Sequence, residues 1–278
     1  MQYDKVIKSK SKIFELNLKV IREYKDLIFL FIKRDFITYY KQTILGPLWY
    51  LISPVFSTIT YMIVFGTLAN LGTNGIPQSL FYFSGTMLWT FFSENLTSVS
   101  GTFRENKNIF GKVYFPRLVS PIASVAGRVI KLMIQFILFL IVYIFYIMKG
   151  AQIKVTWMVL LLPVVILWIG ILSMGFGMII ASITTKYRDL ALALNFLLSL
   201  FMYVTPVVYP YSEMPDSYKF VLWINPLSAP MEFFRTCYFG TPMVSAQMTI
   251  TSIAVTILSL VFGMLVFEHI EKTFVDVI

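Results

Sequence analysis

Residues able to do chemistry are sparse in this sequence, and their spacing matches no catalytic site. The one histidine, His269, follows Glu268 near the end of the chain, where a solvated tail residue is the simpler interpretation than a catalyst. Lys112 follows Gly111, but the upstream glycine of a phosphate-binding loop is missing. No His, Cys and carboxylate set has metal-site spacing, and no nucleophile lies beside a base. We therefore predict a chain that is not an enzyme and that holds no cofactor and no metal.

Three charged residues stand within otherwise apolar runs. Glu94 is the one acid in such a position, which is too little to indicate ion coupling. Arg128 and Lys131 would each cost at least about 2.5 kcal/mol at the centre of a bilayer. Two interpretations remain open. Either residues 118–130 lie in the membrane interface and the span begins near residue 132, or the two cations face a polar pathway.

The composition indicates that lipid is the main solvent of the elements that carry these residues. Of the 278 residues, 58% are hydrophobic and 13% are charged, whereas soluble domains carry about a quarter charged residues. Residues 42–93 have no formal charge, but turn-forming residues at 70–77 divide them, because roughly 20 residues cross the hydrocarbon. Lipid cannot satisfy bare backbone groups, so runs of this length indicate helices and an all-α integral membrane fold. We predict six transmembrane helices, at 46–69, 79–99, 120–148, 155–183, 190–209 and 248–267.

The basic residues determine the orientation. With six spans the two termini lie on one side, and that side receives seventeen Lys and Arg residues against four on the other. Because cytoplasmic loops carry the excess of Lys and Arg, we predict that both termini are cytoplasmic. The chain then divides into a cytoplasmic N-terminal region (1–45), a transmembrane domain (46–268) and a cytoplasmic tail (269–278).

The pattern of segment 25–41 predicts an amphipathic helix at the membrane surface. Apolar side chains recur on one face with cations opposite, although Leu30 and Ile37 fall on the polar side. This interface helix is either a basic anchor that fixes the topology or a surface helix that also touches a cytosolic partner. Its assigned residues are Ile28, Ile32, Lys33, Arg34, Phe36 and Tyr39.

Six local strings are recognisable in the chain. They are YKQTILGPLW (40–49), FSGTMLWTFFS (83–93), KVYFPR (112–117), KYRD (186–189), TPVVYP (205–210) and NPL (225–227). In this order and topology the sequence, from about residue 25 to its end, resembles the ABC-2 type permeases of bacterial polysaccharide and polyol-phosphate export. The Tyr-Phe-Pro-Arg and Tyr-Arg-Asp strings are the most specific.

The resemblance implies a homodimer of six-helix subunits that works with two cytosolic nucleotide-binding subunits, where ATP and Mg²⁺ bind. Loop 100–117 would carry the main coupling helix, from Thr102 to Gly111, whose apolar side chains would fill a cleft of the ATPase inside a polar rim. Loop 184–189 would make a second contact. The apolar set is Phe103, Ile109 and Phe110, and the other coupling residues are Arg104, Glu105, Asn106, Lys107, Pro116, Arg117, Tyr187, Arg188 and Asp189. The alternatives are a basic loop that only obeys the positive-inside rule and a self-satisfied turn.

Segment 210–247 is too broken by proline for a span and too apolar for a free loop. Short helices that re-enter the outer leaflet satisfy both facts. The resemblance implies two gate helices there, near 214–222 and 227–238, while an aromatic belt at the interface is the alternative. The gate residues are Pro206, Pro210, Tyr218, Trp223, Pro226 and Phe233.

The resemblance also implies a route lined with aromatic rings, which offer flat apolar faces to sugars. On the first and fifth spans these are Tyr50, Phe56, Tyr61, Phe196, Phe201 and Tyr203. Because 17% of the residues are aromatic, contact with lipid or with other helices is the alternative for each ring. The pyrophosphate head of a lipid-linked glycan would meet the interface helix and Arg128 or Lys131.

These expectations combine into one prediction of function. The chain would be the permease subunit of an ABC exporter in the bacterial inner (plasma) membrane, with ATP hydrolysis in a separate subunit and no nucleic-acid partner. Its cargo would be a lipid-linked polysaccharide, O-antigen-like or teichoic acid. An ABC-2 exporter of a drug or small lipid is the closest alternative, since it shares the architecture.

Overall fold

The computed structural model describes residues 23–41, 44–113, 115–151, 153–187 and 189–277, without the side chains of residues 39, 40, 47 and 272–277. Within these ranges the regular structure is entirely helical. The α-helices in chain order are α1 (Lys25–Tyr40), α2 (Trp49–Tyr61), α3 (Gln78–Ser100), α4 (Thr102–Glu105), α5 (Lys107–Phe110), α6 (Val119–Met148), α7 (Leu162–Thr184), α8 (Leu190–Val204), α9 (Lys219–Ile224), α10 (Ser228–Phe239) and α11 (Ala246–Val277). A π-helix (Met62–Leu68) continues α2, and 3₁₀ turns occupy Gly46–Leu48, Trp157–Leu161, Tyr211–Glu213 and Asp216–Tyr218.

In the described part of the chain, four helical segments are long and apolar enough to cross a membrane. They are Trp49–Leu68, Val119–Met148, Trp157–Thr184 and Ala246–Glu271. They correspond to the first, third, fourth and sixth predicted spans. At the fifth, α8 is apolar but has only 15 residues. It ends at Val204 instead of residue 209, because Thr205 precedes a proline and adopts an extended conformation.

The second predicted span, α3, is long but less apolar than the four, and its position explains its composition. Fifteen of its 23 residues are buried, because α3 packs against α2, α6 and α7. A helix surrounded by protein can carry polar side chains that lipid would penalise. The hydroxyls of Thr86 and Thr58 of α2 lie 3.2 Å apart, and Ser84 donates to the Phe81 carbonyl at 2.8 Å.

Glycines let α7 approach two neighbouring helices closely. A Cβ on Gly177 would lie 2.6 Å from the Cβ of Val99 on α3, and one on Gly175 would lie 2.7 Å from the backbone nitrogen of Leu260 on α11. From the α11 side, a Cβ on Gly263 would lie 2.5 Å from the carbonyl oxygen of Gly175. Small residues permit such backbone contact between helices. The close packing of α3, α7 and α11 therefore depends on these glycines.

Helix α6 is continuous through its charged turn. Its 30 residues extend about 45 Å, which exceeds a hydrocarbon thickness of about 30 Å. Lys131 lies about 26 Å along the helix from Met148, so a span that ends at Met148 places Lys131 near the opposite boundary of the hydrocarbon. The two interpretations of these cations are thus compatible, because a residue at the boundary can also face a polar cavity.

Candidate functional site

Loop 100–117 forms two short helices, α4 and α5, where a single coupling helix was predicted. The helix breaks at Asn106, which is buried. The Asn106 amide donates to the carbonyl of Thr102 (3.0 Å) and to the hydroxyl of Ser120 on α6 (3.1 Å). Its carbonyl oxygen accepts a hydrogen bond from Arg34 of α1 (3.2 Å). One side chain thus joins the loop to two helices.

The aromatic side chains of this loop point into the protein. Phe103 stacks on Phe267 of α11 with ring centroids 4.6 Å apart, and Phe110 packs on Phe115 at 5.5 Å. Phe31 of α1 completes this aromatic cluster, 5.7 Å from Phe115. Phe103 and Phe110 are 2% and 9% exposed, so they do not protrude to fill a cleft in another protein. That part of the prediction is corrected, because their hydrophobicity is used in the chain's own core.

Charged side chains cover the outer surface of the loop. The side chains of Arg104 and Glu105 are 65% and 56% exposed and lie 3.6 Å apart, and Lys107 is exposed too. Ile109 is half-buried against the aromatic cluster. The surface available to a partner is therefore mainly polar, and its part in coupling stays a prediction.

The end of the loop is tied to α11. Arg117 is buried, its guanidinium lies 5.3 Å from the centre of the Phe110 ring, and it donates to the carbonyl oxygen of Glu271 (2.7 Å). Pro116 beside it is half-buried. Arg117 thus serves internal structure in this chain, whatever further contact it makes.

The second predicted contact is a short exposed turn before α8. Tyr187 and Asp189 are exposed, and the Lys186 ammonium lies 5.4 Å from the centre of the Tyr187 ring. Asp189 precedes α8 without a side-chain capping bond. Arg188 lies outside the described residues. An ATPase contact at this turn stays a prediction.

Helix α1 packs one apolar face against α6 and leaves a second one exposed. Its most buried side chain is Phe31, which the sequence pattern did not single out, and Ile28, Ile32, Arg34 and Phe36 are half-buried. The exposed side chains are Phe29, Leu30, Lys33 and Ile37. The Tyr39 side chain lies outside the described ones. Apolar side chains on both faces suit a helix between protein and lipid. This arrangement explains why Leu30 and Ile37 broke the predicted pattern.

An ion pair joins α6 to α3 at the charged turn. Lys131 pairs with Glu94, and their side chains are 13% and 37% exposed. The Lys131 ammonium also lies 5.1 Å from the centre of the Tyr50 ring. Arg128, one turn earlier, donates to the carbonyl of Ser124 on its own helix (3.2 Å). Pairing offsets part of the cost of placing two charges within otherwise apolar helices.

Two polar cavities meet at Glu94, the acidic member of this ion pair. The α1 cavity, of about 530 Å³, lies between α1, α3 and α6, and the α8 cavity, of about 660 Å³, lies between α2, α3 and α8. Both are lined by Glu94, Ser98, Glu105 and Arg128. The α1 cavity adds Arg34, Asp35, Tyr50, Asn106 and Lys131, and the α8 cavity adds Tyr61, Trp89, Ser93, Asn195, Ser199 and Tyr203, among others. The shared lining makes these residues the structural centre of the candidate site.

The structure divides the predicted channel aromatics. Tyr61 and Tyr203 line the α8 cavity, and Tyr50 lines the α1 cavity. Phe201 packs behind the α8 cavity on Trp89, with centroids 6.0 Å apart. Phe56 and Phe196 are exposed and line neither cavity, which is the arrangement expected for contact with lipid. Lining of a transport route stays a prediction for the others.

Sequence reasoning did not select the polar side chains of the α8 cavity. Trp89, Asn195 and Ser199 line it beside Glu94. A usable signal was present, because Asn195 and Ser199 are four residues apart in an otherwise apolar helix and so share one face.

Two short helices, α9 and α10, lie in the external segment predicted to contain the gate. The buried Arg235 of α10 donates to Glu232 Oε1 on its own helix (2.6 Å) and to the carbonyl of Val207, in the segment that follows α8 (3.1 Å). The Arg235 guanidinium also lies 4.0 Å from the centre of the Phe81 ring. A Cβ on Gly85 would lie 2.4 Å from the same Val207 carbonyl oxygen, so α3 and this segment are in backbone contact.

The predicted gate residues differ in exposure. Pro206 and Pro210 are buried, Pro226 and Phe233 are half-buried, and Tyr218 and Trp223 are exposed. The indole of Trp223 donates to the Tyr211 hydroxyl at 2.9 Å. Their action as a gate stays a prediction.

In the described ranges, no three side chains among His, Cys, Asp and Glu lie together as a metal-ion site would require. The candidate site is thus one of polar cavities, an ion pair and exposed loops around a membrane bundle. A match to the family of ABC-2 type transporters extends over residues 26–239, from α1 through α10. The chain belongs to the ABC-2 type transporter family.

Relatives of this ABC-2 transporter chain include two proteins named O-antigen export system permease protein RfbA. The one from Myxococcus xanthus is 25% identical over 264 residues, which cover 93% of this chain and 99% of that protein. The one from Klebsiella pneumoniae is 24% identical, over 91% of this chain and 95% of that protein. The polysialic acid transport protein KpsM of Escherichia coli is 25% identical, over 73% of this chain and 77% of that protein. The resemblance to polysaccharide-export permeases is confirmed.

Proposed function

We propose that this chain is the permease subunit of an exporter that moves a lipid-linked polysaccharide outward across the bacterial inner (plasma) membrane. The observation that carries the proposal is the nearly full-length similarity to proteins named O-antigen export permeases. An O-antigen-like cargo is favoured over teichoic acid by those names. The energy comes from hydrolysis of ATP, bound together with Mg²⁺, in two cytosolic partner subunits.

The proposed topology has six crossings with both termini in the cytoplasm. Helices α3 and α8 complete the four long apolar segments, α3 as an internal helix and α8 as a short one. The excess of Lys and Arg on the side of loop 100–117 supports this orientation. Loop 100–117 then meets the ATPase, and α9 and α10 lie at the external face.

The proposed functional unit is a homodimer whose copies face each other across α8. Helix α8 is largely exposed on its apolar side, with Phe196 at 65%. Its Asn195 and Ser199 face the α8 cavity, where lipid tails could not satisfy their polar groups. A second copy that closes this cavity would form a polar route with aromatic walls, including Tyr61 and Tyr203.

In this proposal, movement of loop 100–117 is transmitted to the membrane helices. ATP binding by the partner subunits shifts the polar surface of α4 and α5. The aromatic cluster and Asn106 connect these short helices to α1, α6 and α11, so their displacement moves the bundle. In the same proposal, Arg128 and Lys131 bind the anionic head of the lipid carrier in the α1 cavity.

The test of the proposal is export by the chain reconstituted with its ATPase subunit in proteoliposomes. A lipid-linked glycan should stimulate ATP hydrolysis and reach the opposite leaflet, and stimulation by short lipids alone would favour an exporter of small lipids. A double variant, Arg104→Glu with Lys107→Glu, should abolish both activities, since it reverses the charge of the exposed surface without entering the core. Lys112→Glu, which is exposed in the same loop but outside α4 and α5, is the matched control. Export by the double variant at the rate of the wild type would refute the coupling surface.

A further inference from the structure

Glu94 lies in the shared wall of the two cavities, its partner Lys131 lines the α1 cavity, and the described charged residues that line the α1 cavity balance. The cations that line the α1 cavity are Arg34, Arg128 and Lys131, and the anions are Asp35, Glu94 and Glu105. Arg34 is paired with Asp35 at 2.7 Å, and Lys131 is paired with Glu94. Arg128 is bonded to a neutral backbone carbonyl of its own helix. Among the described residues, an anion that enters this cavity therefore finds one lining cation, Arg128, that has no carboxylate in close contact.

A doubly charged group needs a second cation, and the structure indicates which one can be released. Lys131 lines the α1 cavity, whereas its partner Glu94 lines both cavities. The Glu94 side chain is also the more exposed of the two. Glu94 can therefore turn toward the α8 cavity and remain solvated, while the Lys131 ammonium stays beside Arg128, one helical turn away.

We infer that Glu94 is an exchangeable counter-ion for an anion-binding site made by Arg128 and Lys131. Glu94 holds Lys131 while the site is empty, and it yields Lys131 to the diphosphate group of a lipid-linked substrate. The inference rests on the proposed function and adds a residue that sets its specificity. The shared chemistry of the ligand is a diphosphate, either on a lipid or free in solution.

An internal competitor of this kind selects for charge. Membrane phospholipids are abundant and carry a phosphodiester with a single charge, which can contact Arg128 but gains too little to displace Glu94 from Lys131, so it binds weakly. A diphosphate gains a second charge-assisted contact from Lys131 and so offsets the loss of the Glu94 pair. Specificity arises from a penalty on the unwanted ligand as much as from attraction to the correct one.

The experiment measures binding to the purified full-length chain in lipid nanodiscs. The probes are farnesyl diphosphate, inorganic pyrophosphate and short-chain phosphatidylglycerol. The Glu94→Gln variant removes the competing charge and keeps the size of the side chain. It should bind farnesyl diphosphate about fivefold more tightly, as for loss of a partly exposed ion pair, and should gain binding of phosphatidylglycerol. Binding of pyrophosphate equal to that of farnesyl diphosphate identifies a site for the free anion, and weaker binding identifies a lipid site.

Two further variants make the test specific. Glu105→Gln removes a carboxylate that lines the same two cavities but is not paired with Lys131, and it should leave the affinities within about twofold. In a Lys131→Gln background, Glu94→Gln should not change the affinities further, because both substitutions remove the same ion pair. Equal tightening by Glu105→Gln would show a general charge effect and overturn the inference.

The outcomes separate this inference from the proposal on which it rests. If Arg128→Gln abolishes binding of farnesyl diphosphate but Glu94→Gln leaves it unchanged or weaker, the head-group site stands and the counter-ion role is refuted. If the wild type binds none of the probes, the head-group site and the inference fall together. Export in proteoliposomes, measured separately, decides the function of the chain in either case.

Discussion

The buried Arg235 of α10 permits a quantitative prediction about the external face. Replacement by methionine would remove the hydrogen bonds to Glu232 (2.6 Å) and to the Val207 carbonyl, together with the contact over the Phe81 ring. It would also leave the largely buried Glu232 carboxylate without this cation. Breaking a buried pair from one side costs about 3–5 kcal/mol, which corresponds to a fall in melting temperature of roughly 6–20 °C.

The assay is thermal unfolding of the purified chain in detergent, followed by fluorescence. The double variant Arg235→Met with Glu232→Met removes both charges and should recover several degrees, because a well-packed apolar pair often replaces a buried ion pair at little cost. The matched control is Lys219→Met, since Lys219 and Asp216 have the same three-residue spacing in the same segment, but Asp216 is exposed and Lys219 is only half-buried. It should leave the melting temperature unchanged. A double variant no more stable than Arg235→Met alone would refute the assignment of the loss to an uncompensated charge.

Three further predictions follow from other contacts. Gly263→Ala should destabilise the protein by about 1–3 kcal/mol and so lower its melting temperature, because the added Cβ would lie 2.5 Å from a backbone oxygen. The control is Gly127→Ala, whose added Cβ would have its nearest atom at 3.9 Å and which should not lower the melting temperature. Asn106→Ala should lower glycan export in proteoliposomes more than it lowers binding of the ATPase subunit, and equal losses would contradict a transmitting role. The hydrogen bond from Lys219 lowers the pKa of the Asp216 carboxyl. The stability that this pair contributes is therefore present above the ordinary carboxyl pKa and is lost as the pH falls through the lowered pKa. Because the Asp216 carboxyl is fully accessible to water, melting temperatures at neutral and mildly acidic pH should differ equally little in the wild type and in Asp216→Asn.

The sequence was sufficient to predict the helical class and the four long apolar segments, because hydropathy over 18 or more residues is a local property. The helix α3 (Gln78–Ser100) also lies close to the predicted 79–99, but its crossing of the membrane stays a prediction, because a helix buried in protein can carry polar residues that lower its hydropathy. The early end of α8 could have been predicted from the sequence, because Pro206 disfavours a helical conformation for the residue before it.

The candidate site depended on contacts that no local pattern contains. Glu94 and Lys131 are 37 residues apart on different helices, so their pairing follows from the packing of α3 against α6. Phe103 and Phe110 are the residue type expected of a docking surface, but the stacking of Phe103 on Phe267 of α11 and the packing of Phe110 on Phe115 show that they belong to the interior. By contrast, the three-residue spacing of Glu232 and Arg235 is a helical ion-pair pattern that was visible in the sequence.

The glycine contacts of α7 constrain how this protein can change shape. Where backbones touch without intervening side chains, sliding of one helix past another would drive main-chain atoms into each other. Helices α3, α7 and α11 are therefore expected to behave as a rigid block during a transport cycle. If the proposed route lies along α8, its widening would then fall to α8, which is sparsely packed, and to α2, which contains Pro54.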